Sequence, residues 1–565
     1  MLDIFLGRNA ESRFAFKSQA PGAPQFDVVR FEGREAISSL FRFDITLVAS
    51  TADVDLADLT SHAATFAMRT ATGSQYTPYH GVVSEAEQLG QVDDYYFYRV
   101  VLVPKLWSLT LSRINEIYLK EQSIPDLMGD LLRDSEFSNS DFKIAVRNPF
   151  DYRKRSFVCQ YQETHFDFMS RWLEKEGLYY YFDHEPDPGL LAMVGFGGSD
   201  NAQVVITDYK EAHSDKTLSL KYIPPENVQT ARLDQSVTSF VWKRQQVTKK
   251  VIVQDYNYRK AAMADDLKAD ESVSGGRAGE VMYVGDNLRA KSEASRLAKV
   301  RAEQLACEVE TFHGEAPAVG MRSGYFIELS SHYRKDCNGR FLVTEIEHRG
   351  SQVGVVLSGQ TTQYAAGETG TTYQAKFQAI RANQQFRAKP VTPRPAVAGF
   401  LSGIVDSEGF GKSAELNEYG QYKVQMLYDL SGKRASKGSA WIRMASPYAG
   451  DGHGMHFPLL KGTEVMVGFN GGDPDQPVIL GAVTNSENKN VVVDSNSQQN
   501  GMKSVAGNII SMNDSLGNAN IVLHSPQAGS YMILGQFPSL AGSTPELPSM
   551  PDLEALSDVA SMLDL

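Results

Sequence analysis

Residues 439–481, SAWIRMASPYAGDGHGMHFPLLKGTEVMVGFNGGDPDQPVILG, decide the fold of this chain. WIRMA (441–445) and EVMVGFN (464–470) alternate apolar and polar side chains, the period of a half-buried strand. PVILGAV (477–483) reads as a buried strand. Just upstream, QYKVQMLYD (421–429) sets Tyr422, Val424, Met426 and Tyr428 against Lys423, Gln425 and Leu427. About five strands in roughly 85 residues fit a small closed barrel of the OB type. After Asn485 the pattern changes. SVAGNIISMNDSLGNANIVLHSPQAGSYMILGQ (504–536) is expected to hold three short strands punctuated by Gly507, Gly517 and Gly529. Such a piece cannot bury both faces by itself and needs stacked neighbours or other chains.

Upstream of the barrel, RAKPVTPRPAVA (387–398) carries Pro390, Pro393 and Pro395, which lack ladder donors, so an extended connector is expected there. The part before it is mainly β with inserted helices. Phe41, Phe43, Ile45 and Leu47 alternate with Arg42, Asp44 and Thr46, and strand-like runs follow at 78–89, 95–104, 319–332 and 338–350. Antiparallel strands at such spacing suggest a barrel or sandwich. SIPDLMGDLLRDS (123–135) has a serine cap, a proline in its first turn and an apolar face, which predicts a helix. ETHFDFMSRWLEKE (163–176) places Phe166, Met169, Trp172 and Leu173 on one side and stops at Gly177. The longest helix is expected over 287–306, where Ala290, Ala294, Leu297, Val300 and Leu305 form a stripe.

The 565 residues need several domains. A formal charge of −13 argues against a nucleic-acid binder. Cys159, Cys307 and Cys337 supply neither a disulfide framework nor a zinc signature. MLDIFLGRNAESRF has neither a basic start nor an apolar core, so no cleaved signal peptide is expected, and no run is long enough for a membrane helix.

His453 and His456 form H-x-x-H on a glycine-rich turn, but two histidines do not close a zinc site, so no metal is expected. Gly471-Gly472-Asp473-Pro474-Asp475 lacks the lysine and helix of a phosphate cradle and reads as a turn. Tyr179, Tyr180, Tyr181 and Phe182 read as a strand with aromatics packed on both faces. A glycosidase needs two carboxyls across a cleft, yet only about 15 residues (486–500) separate barrel from fibre, too few for an enzyme domain. No G-x-S-x-G or H-E-x-x-H occurs, so neither catalytic residues nor a cofactor are expected. The end, 541–565, has five acidic residues and no basic one. Leu553, Leu556, Val559 and Leu563 share one face of a possible short helix, which reads either as a docking helix for an effector or adaptor or, more plainly, as a disordered terminus or an end cap for the needle.

FEGREAISSLFRFDITLVAS (31–50), LVPKLWSLTLSR (102–113), SIPDL (123–127), CQYQETHFDFMSRWLEKEGLYYYF (159–182), FLVTEIEH (341–348), NEYGQYKVQMLYD (417–429), SAWIRMASPYAG (439–450) and GTEVMVGFNGGDPDQPVILGAV (462–483) together resemble the VgrG spike proteins of type VI secretion systems along nearly the whole chain. The resemblance implies a phage-hub-like region of two β-barrels over 1–385, a Pro-rich linker at 386–398, an OB-fold domain at 399–485, the start of a trimeric β-helix or needle at 486–540, and the acidic tail. It implies a homotrimer seated on a tube of Hcp hexamers, carrying a PAAR-type tip and an effector or adaptor, assembled in the cytoplasm, then fired outward into brief contact with a target membrane. A phage or phage-like baseplate hub is the alternative. Gln421 stands where the family usually has a basic residue and Arg381 where it usually has proline; both are expected to be surface changes. The needle is barely begun.

Overall fold

A computed structural model describes residues 12–70, 76–184, 202–224, 226, 230–262, 267–357, 370–408, 411, 413–430 and 439–535. The chain divides into two compact units, Met1–Pro395 and Ala396–Leu565.

The first unit is built on two rings of antiparallel and parallel strands. In one, β1 (Phe14–Ser18), β2 (Phe26–Ala36), β3 (Arg42–Ala49), β4 (Ala63–Arg69), β5 (Tyr76–Val92) and β6 (Tyr95–Val103) pair in the order β1-β4-β5-β6-β3-β2. The ring closes where β1 also pairs β2, at Ala15↔Asp27 and Phe16↔Phe26. The second ring uses β7 (Thr217–Tyr222), β8 (Ser236–Val237), β9 (Ser239–Arg244), β10 (Glu310–Ala316), β11 (Phe326–Ser330), β12 (Gly339–Ser351) and β13 (Thr372–Arg381). Its ladders run β8-β7-β11-β12-β13-β10-β9. Only Thr238 separates β8 from β9, and its N–H donates to Glu315 O at 2.8 Å, so this ring closes as well. Seven partner pairs between β2 and β12, from Arg30↔Ser351 to Ala36↔Glu345, join the rings.

Aromatic side chains fill the interiors. Phe31 lies 4.6 Å from Phe66, and Phe43 4.5 Å from Tyr79, between ring centroids. Two glycines make room for such rings. A Cβ on Gly33 would stand 2.3 Å from the ring of its partner Phe43, and one on Gly314 2.3 Å from that of Phe377. Gln352, fully buried, fastens the first ring: its Oε1 accepts the N–H groups of Arg13 and Phe14, and its Nε2 donates to Phe14 O and Val28 O.

The inserted helices follow their caps. α1 (Ile124–Asp134) starts where Ser123 Oγ accepts Asp126 N–H. α2 (His165–Glu176) starts at Thr164 and ends at Gly177, left-handed with φ of 79°. α3 (Lys291–Val309) packs on a three-stranded sheet (Thr248–Gln254, Lys268–Ser272, Ala278–Val284). The aromatic strand Tyr179–Asp183 is buried on both faces at Tyr179 through Phe182. Between α2 and α3 lies a charged core. Glu176 receives Arg155 at 2.8 Å and also Arg296, and Glu293 receives Arg153 at 3.0 Å. Burial pushes the Glu176 carboxyl up, but Arg296, Arg155 and Lys175 hold it well below its ordinary value.

The proline-rich stretch is extended as expected, yet it is strapped down within the first unit. Arg387 donates to Glu303 (2.7 Å), Gly177 O and Asp208 O; Thr392 donates to Glu174; Arg394 reaches Asp286 at 2.9 Å. Arg381 and Gln421 are not surface changes. Arg381 lies over Phe312 and donates to Glu310 at 2.8 Å, and Gln421 is buried, its amide oxygen accepting from Asn417 at 2.7 Å. A proline at 381 would offer neither interaction.

In the second unit β14 (Phe400–Asp406), β15 (Tyr422–Met426), β16 (Ser439–Met444), β17 (Glu464–Phe469) and β18 (Pro477–Ala482) form a closed barrel in the order β14-β15-β16-β18-β17. Tyr422, Val424, Met426, Ile442, Val465, Val467 and Ile479 point inside. Four strands follow where three were expected: β19 (Gln499–Lys503), β20 (Ile509–Asn513), β21 (Asn520–Ser525) and β22 (Ser530–Gly535), an antiparallel meander. The additional one, QNGMK, is polar and contains glycine, so it has no strand periodicity of its own; it forms by pairing with β20.

Gln352→Leu removes four hydrogen bonds at once, three of them buried, and is expected to cost about 3 kcal/mol in chemical denaturation, with the loss confined to the first unit. His213 gives a pH-dependent counterpart. It is buried, Nδ1–H donating to Gly324 O at 2.8 Å and Nε2 accepting Tyr179 OH at 3.0 Å, and burial pushes its pKa down to about 4. As pH falls below about 6.5 the unfolded chain takes a proton that the folded one refuses, so stability is lost until pH reaches about 4. The loss should approach about 3 kcal/mol, and His213→Gln should flatten the urea midpoint between pH 7 and 4.5.

Candidate functional site

The β19–β22 meander leaves its larger apolar side chains in solvent. Alternation puts Met502, Ile510, Met512, Ile521, Leu523, Met532 and Leu534 on one face, and all are exposed. Register aligns them into two rows. One runs Met502–Ile510–Leu523–Met532 and the other Asn500–Met512–Ile521–Leu534. Ile509, Val522 and Ile533 on the opposite face are half-buried, among Ser511, Asn513, Asn520 and His524. Cross-strand apolar pairs stabilise a sheet only when something covers them. Here nothing among the described residues does, and an uncovered face of this kind marks an interaction surface.

The barrel carries a second apolar area. Phe400 and Leu480 are about half-exposed on the outside of β14 and β18, with Gly468 between them: Phe400 pairs with Gly468, and a Cβ at 468 would lie 3.0 Å from Leu480. Tyr448, Met455 and Phe457 are exposed on the loop between β16 and β17.

His453 and His456 lie on that same loop and are exposed. His453 Nδ1 faces Asp451 O at 3.0 Å, while the His456 ring stacks parallel to Tyr422 at 6.4 Å. Among the described residues no three His, Cys, Asp or Glu side chains are grouped to hold a metal, and no helix is long and apolar enough to cross a membrane. Gly471 and Gly472 take positive φ (61° and 75°) in a turn between β17 and β18, and the Asp473 carboxylate accepts from Asp475 N–H and Gln476. The backbone of this turn serves the barrel, Gly472 O accepting Val397 N–H at 2.9 Å. Leu553, Leu556, Val559 and Leu563 lie outside the described residues. The sequence reading missed the first row of the exposed face because Met502 sits in a polar, glycine-containing segment. Its only signal was the repeated spacing of two at 510/512, 521/523 and 532/534.

Two family models match. The phage tail baseplate hub (GPD) matches residues 34–354, and the type VI secretion system/phage-baseplate injector OB domain matches residues 415–483. The chain therefore belongs to the phage tail baseplate hub family. Among curated proteins, it is 29% identical over 518 residues to the type VI secretion system spike protein VgrG1b of Pseudomonas aeruginosa, covering 89% of this chain and 66% of the relative, and 28% identical over 512 residues to VgrG1a of the same organism, covering 88% and 74%. It spans about two thirds to three quarters of the length of these relatives. In fold it is similar to an Escherichia coli type VI secretion component described as resembling T4 bacteriophage tail proteins (TM-score 0.57, 21% identity, 83% of this chain and 99% of that one) and to a Francisella VgrG complex (TM-score 0.58, 10% identity, 91% and 76%). Within the hub family it is a VgrG-type spike protein, as the resemblance of its sequence implies.

Proposed function

We propose that three copies of this chain bring their uncovered β19–β22 faces together as one needle, and that the trimer is the spike of a type VI secretion tube, fired outward to pierce a target membrane and carry effectors. The exposed double row of apolar side chains carries the reading. Three sheets stacked about an axis cover those rows and the strand edges, which one chain cannot do. Each first unit offers two closed rings, so a trimer presents six, which suits a seat on a six-fold tube of Hcp hexamers. A PAAR-type tip would cap the needle, and an effector or adaptor would dock on the face of Leu553, Leu556, Val559 and Leu563. Export is by contraction, from the cytoplasm.

The work is mechanical, without chemistry of its own. Between Ala482 at the end of β18 and Gln499 at the start of β19 the chain is too short for a catalytic domain. Curated relatives bear the name of spike proteins, although one from Vibrio cholerae, of which this chain covers 40%, is named an actin cross-linking toxin. Those names favour a secretion spike over the hub of a phage particle.

Light scattering behind a sizing column should give three times 62.4 kDa for the native chain. Leu523→Asp with Ile510→Asp should return it to one chain mass while changing the thermal stability of the first unit little, because both side chains are already exposed in the single chain. A wild-type monomer in the presence of Hcp and tip protein would overturn the reading.

A further inference from the structure

The aromatic strand Tyr179–Asp183 is the seat by which the helical insert rests on both rings. On the side of the first ring, Phe182 meets Phe41 at 5.2 Å between ring centroids. Ser38 N–H donates to Tyr180 O at 2.8 Å, and Ser38 Oγ accepts Tyr180 N–H at 3.2 Å. On the side of the second ring, Tyr325 OH donates to Asp183 at 2.7 Å, and a Cβ on Gly324 would stand 2.6 Å from Tyr181 Cβ, so loop and strand meet closely. Two buried histidines complete the seat. His184 directly follows the strand, and His213 stacks on Tyr179 at 5.6 Å and Tyr181 at 4.8 Å.

A neutral imidazole has one nitrogen that accepts, and in both histidines it is taken. His80 N–H donates to His184 Nδ1 at 3.1 Å, just past the Val82↔Val103 pair where the β5–β6 ladder ends. His184 therefore carries its proton on Nε2, which is buried without a partner among the described residues. At His213, Nδ1–H donates to Gly324 O and Nε2 accepts Tyr179 OH. A second proton on either ring lands on the accepting nitrogen and displaces the bond that ties it to its neighbour. The surroundings disfavour that proton. His184 packs on Phe41 and Tyr79, faces His80 at 6.2 Å, and has Arg322 over the same Tyr79 ring; Glu35 beyond it already accepts Tyr79 OH. Burial first, then Arg322 and His80, push the His184 pKa well down. Around His213, Asp208 and Arg387 act on Tyr179 with opposite signs, Asp183 acts on Tyr181, and Arg340 lies over Phe326. Burial dominates there too.

We propose that this seat is an acid-operated release: His184 and His213 take up protons together as it opens, and the strand Tyr179–Asp183 leaves the rings while both rings stay closed. The seated form refuses protons that the released form binds near 6.5, so falling pH favours release. One such histidine shifts the equilibrium about tenfold per pH unit, and two shift it about a hundredfold. Neither imidazole takes part in closing a ring, which is done by β1 on β2 and by Thr238 on Glu315 O. His348, in the ladder that joins the rings, has the Glu35 carboxylate at 3.1 Å, a kind of partner that His184 and His213 lack among the described residues. The device keeps the first unit rigid at neutral pH and loosens it in acidic surroundings. It lies wholly within that unit and does not depend on how many copies assemble.

The test is hydrogen–deuterium exchange of the full-length protein between about pH 7 and 4.5, with exchange times scaled for the intrinsic effect of pH on amide exchange. Peptides covering Tyr179–Asp183 and Gln203–Thr207, its antiparallel partner, report the seat, and a peptide from β3 reports the first ring. Protection of the seat should fall about a hundredfold from about pH 5.5 to 4.5 while that of β3 holds. His184→Gln and His213→Gln should each leave a fall of about tenfold, and the double variant should leave almost none. Seat protection that does not change with pH would overturn the proposal. So would β3 losing protection in step with the seat, since the chain would then be unfolding as a whole. Both outcomes need only the wild-type chain. Folded single variants that keep the full wild-type slope would overturn it as well.

Discussion

The ladder between β2 and β12 is the constraint on which the first unit rests. Each ring closes on itself, but the seven pairs from Arg30↔Ser351 to Ala36↔Glu345 make one rigid body of the two. They also bring together groups that are remote in sequence. Glu35, buried in that ladder, accepts Tyr79 OH at 2.8 Å, the His348 ring at 3.1 Å, and Ser323 N–H and Oγ–H on its other oxygen. His348 in turn meets Tyr373 OH at 2.8 Å. A buried carboxylate is tolerable only when its acceptor sites are filled in this way. Slipping the ladder by one residue would strand Glu35 and turn Phe31 to solvent, so the polar network fixes the register as firmly as the apolar fit does.

The second unit shows the opposite situation. Its barrel is closed and its interior apolar, yet the meander beyond it keeps paired strands with bare faces. The backbone hydrogen bonds between neighbouring strands of β19–β22 are met within the chain, whereas the outer edges of β19 and β22 are unpaired and the apolar area is bare. Backbone satisfaction and burial, which coincide in most domains, are separated along this chain, and that separation is the physical mark of a part made to be completed by others.

Local signals in the sequence were enough for the helices and the OB barrel. Ser123 accepts the expected capping bond, Gly177 supplies the left-handed turn, and the alternation at Tyr422, Val424 and Met426 matches what is buried. Signals that depend on partners far along the chain were not legible. Gln352 meets Arg13 across 339 positions, and β19 becomes a strand only beside β20. Arg381 and Gln421 look like surface residues because charge and amide groups usually are, and only the fold shows the aromatic rings and the asparagine that hold them. The exposed needle face was half-legible: its spacing of two can be read, whereas the rows it makes come from register.

The strap that ends the first unit has a further consequence when the chain is pulled. Its anchors lie in series: Arg394 on Asp286, Thr392 on Glu174, Gln304 on Ala388 O, then Arg387 on three acceptors. Tension entering at Pro395 therefore loads them one after another, as in peeling, instead of sharing the force among them. The outer two anchors, part-buried contacts on the buried carboxyls of Asp286 and Glu174, take the load first. Peeling stops at Arg387, whose guanidinium is gripped from α3, from the end of α2 and from the loop at Asp208. Such an arrangement dissipates a sudden pull in small steps, lengthening the tether by a few residues while the two rings behind it keep their shape.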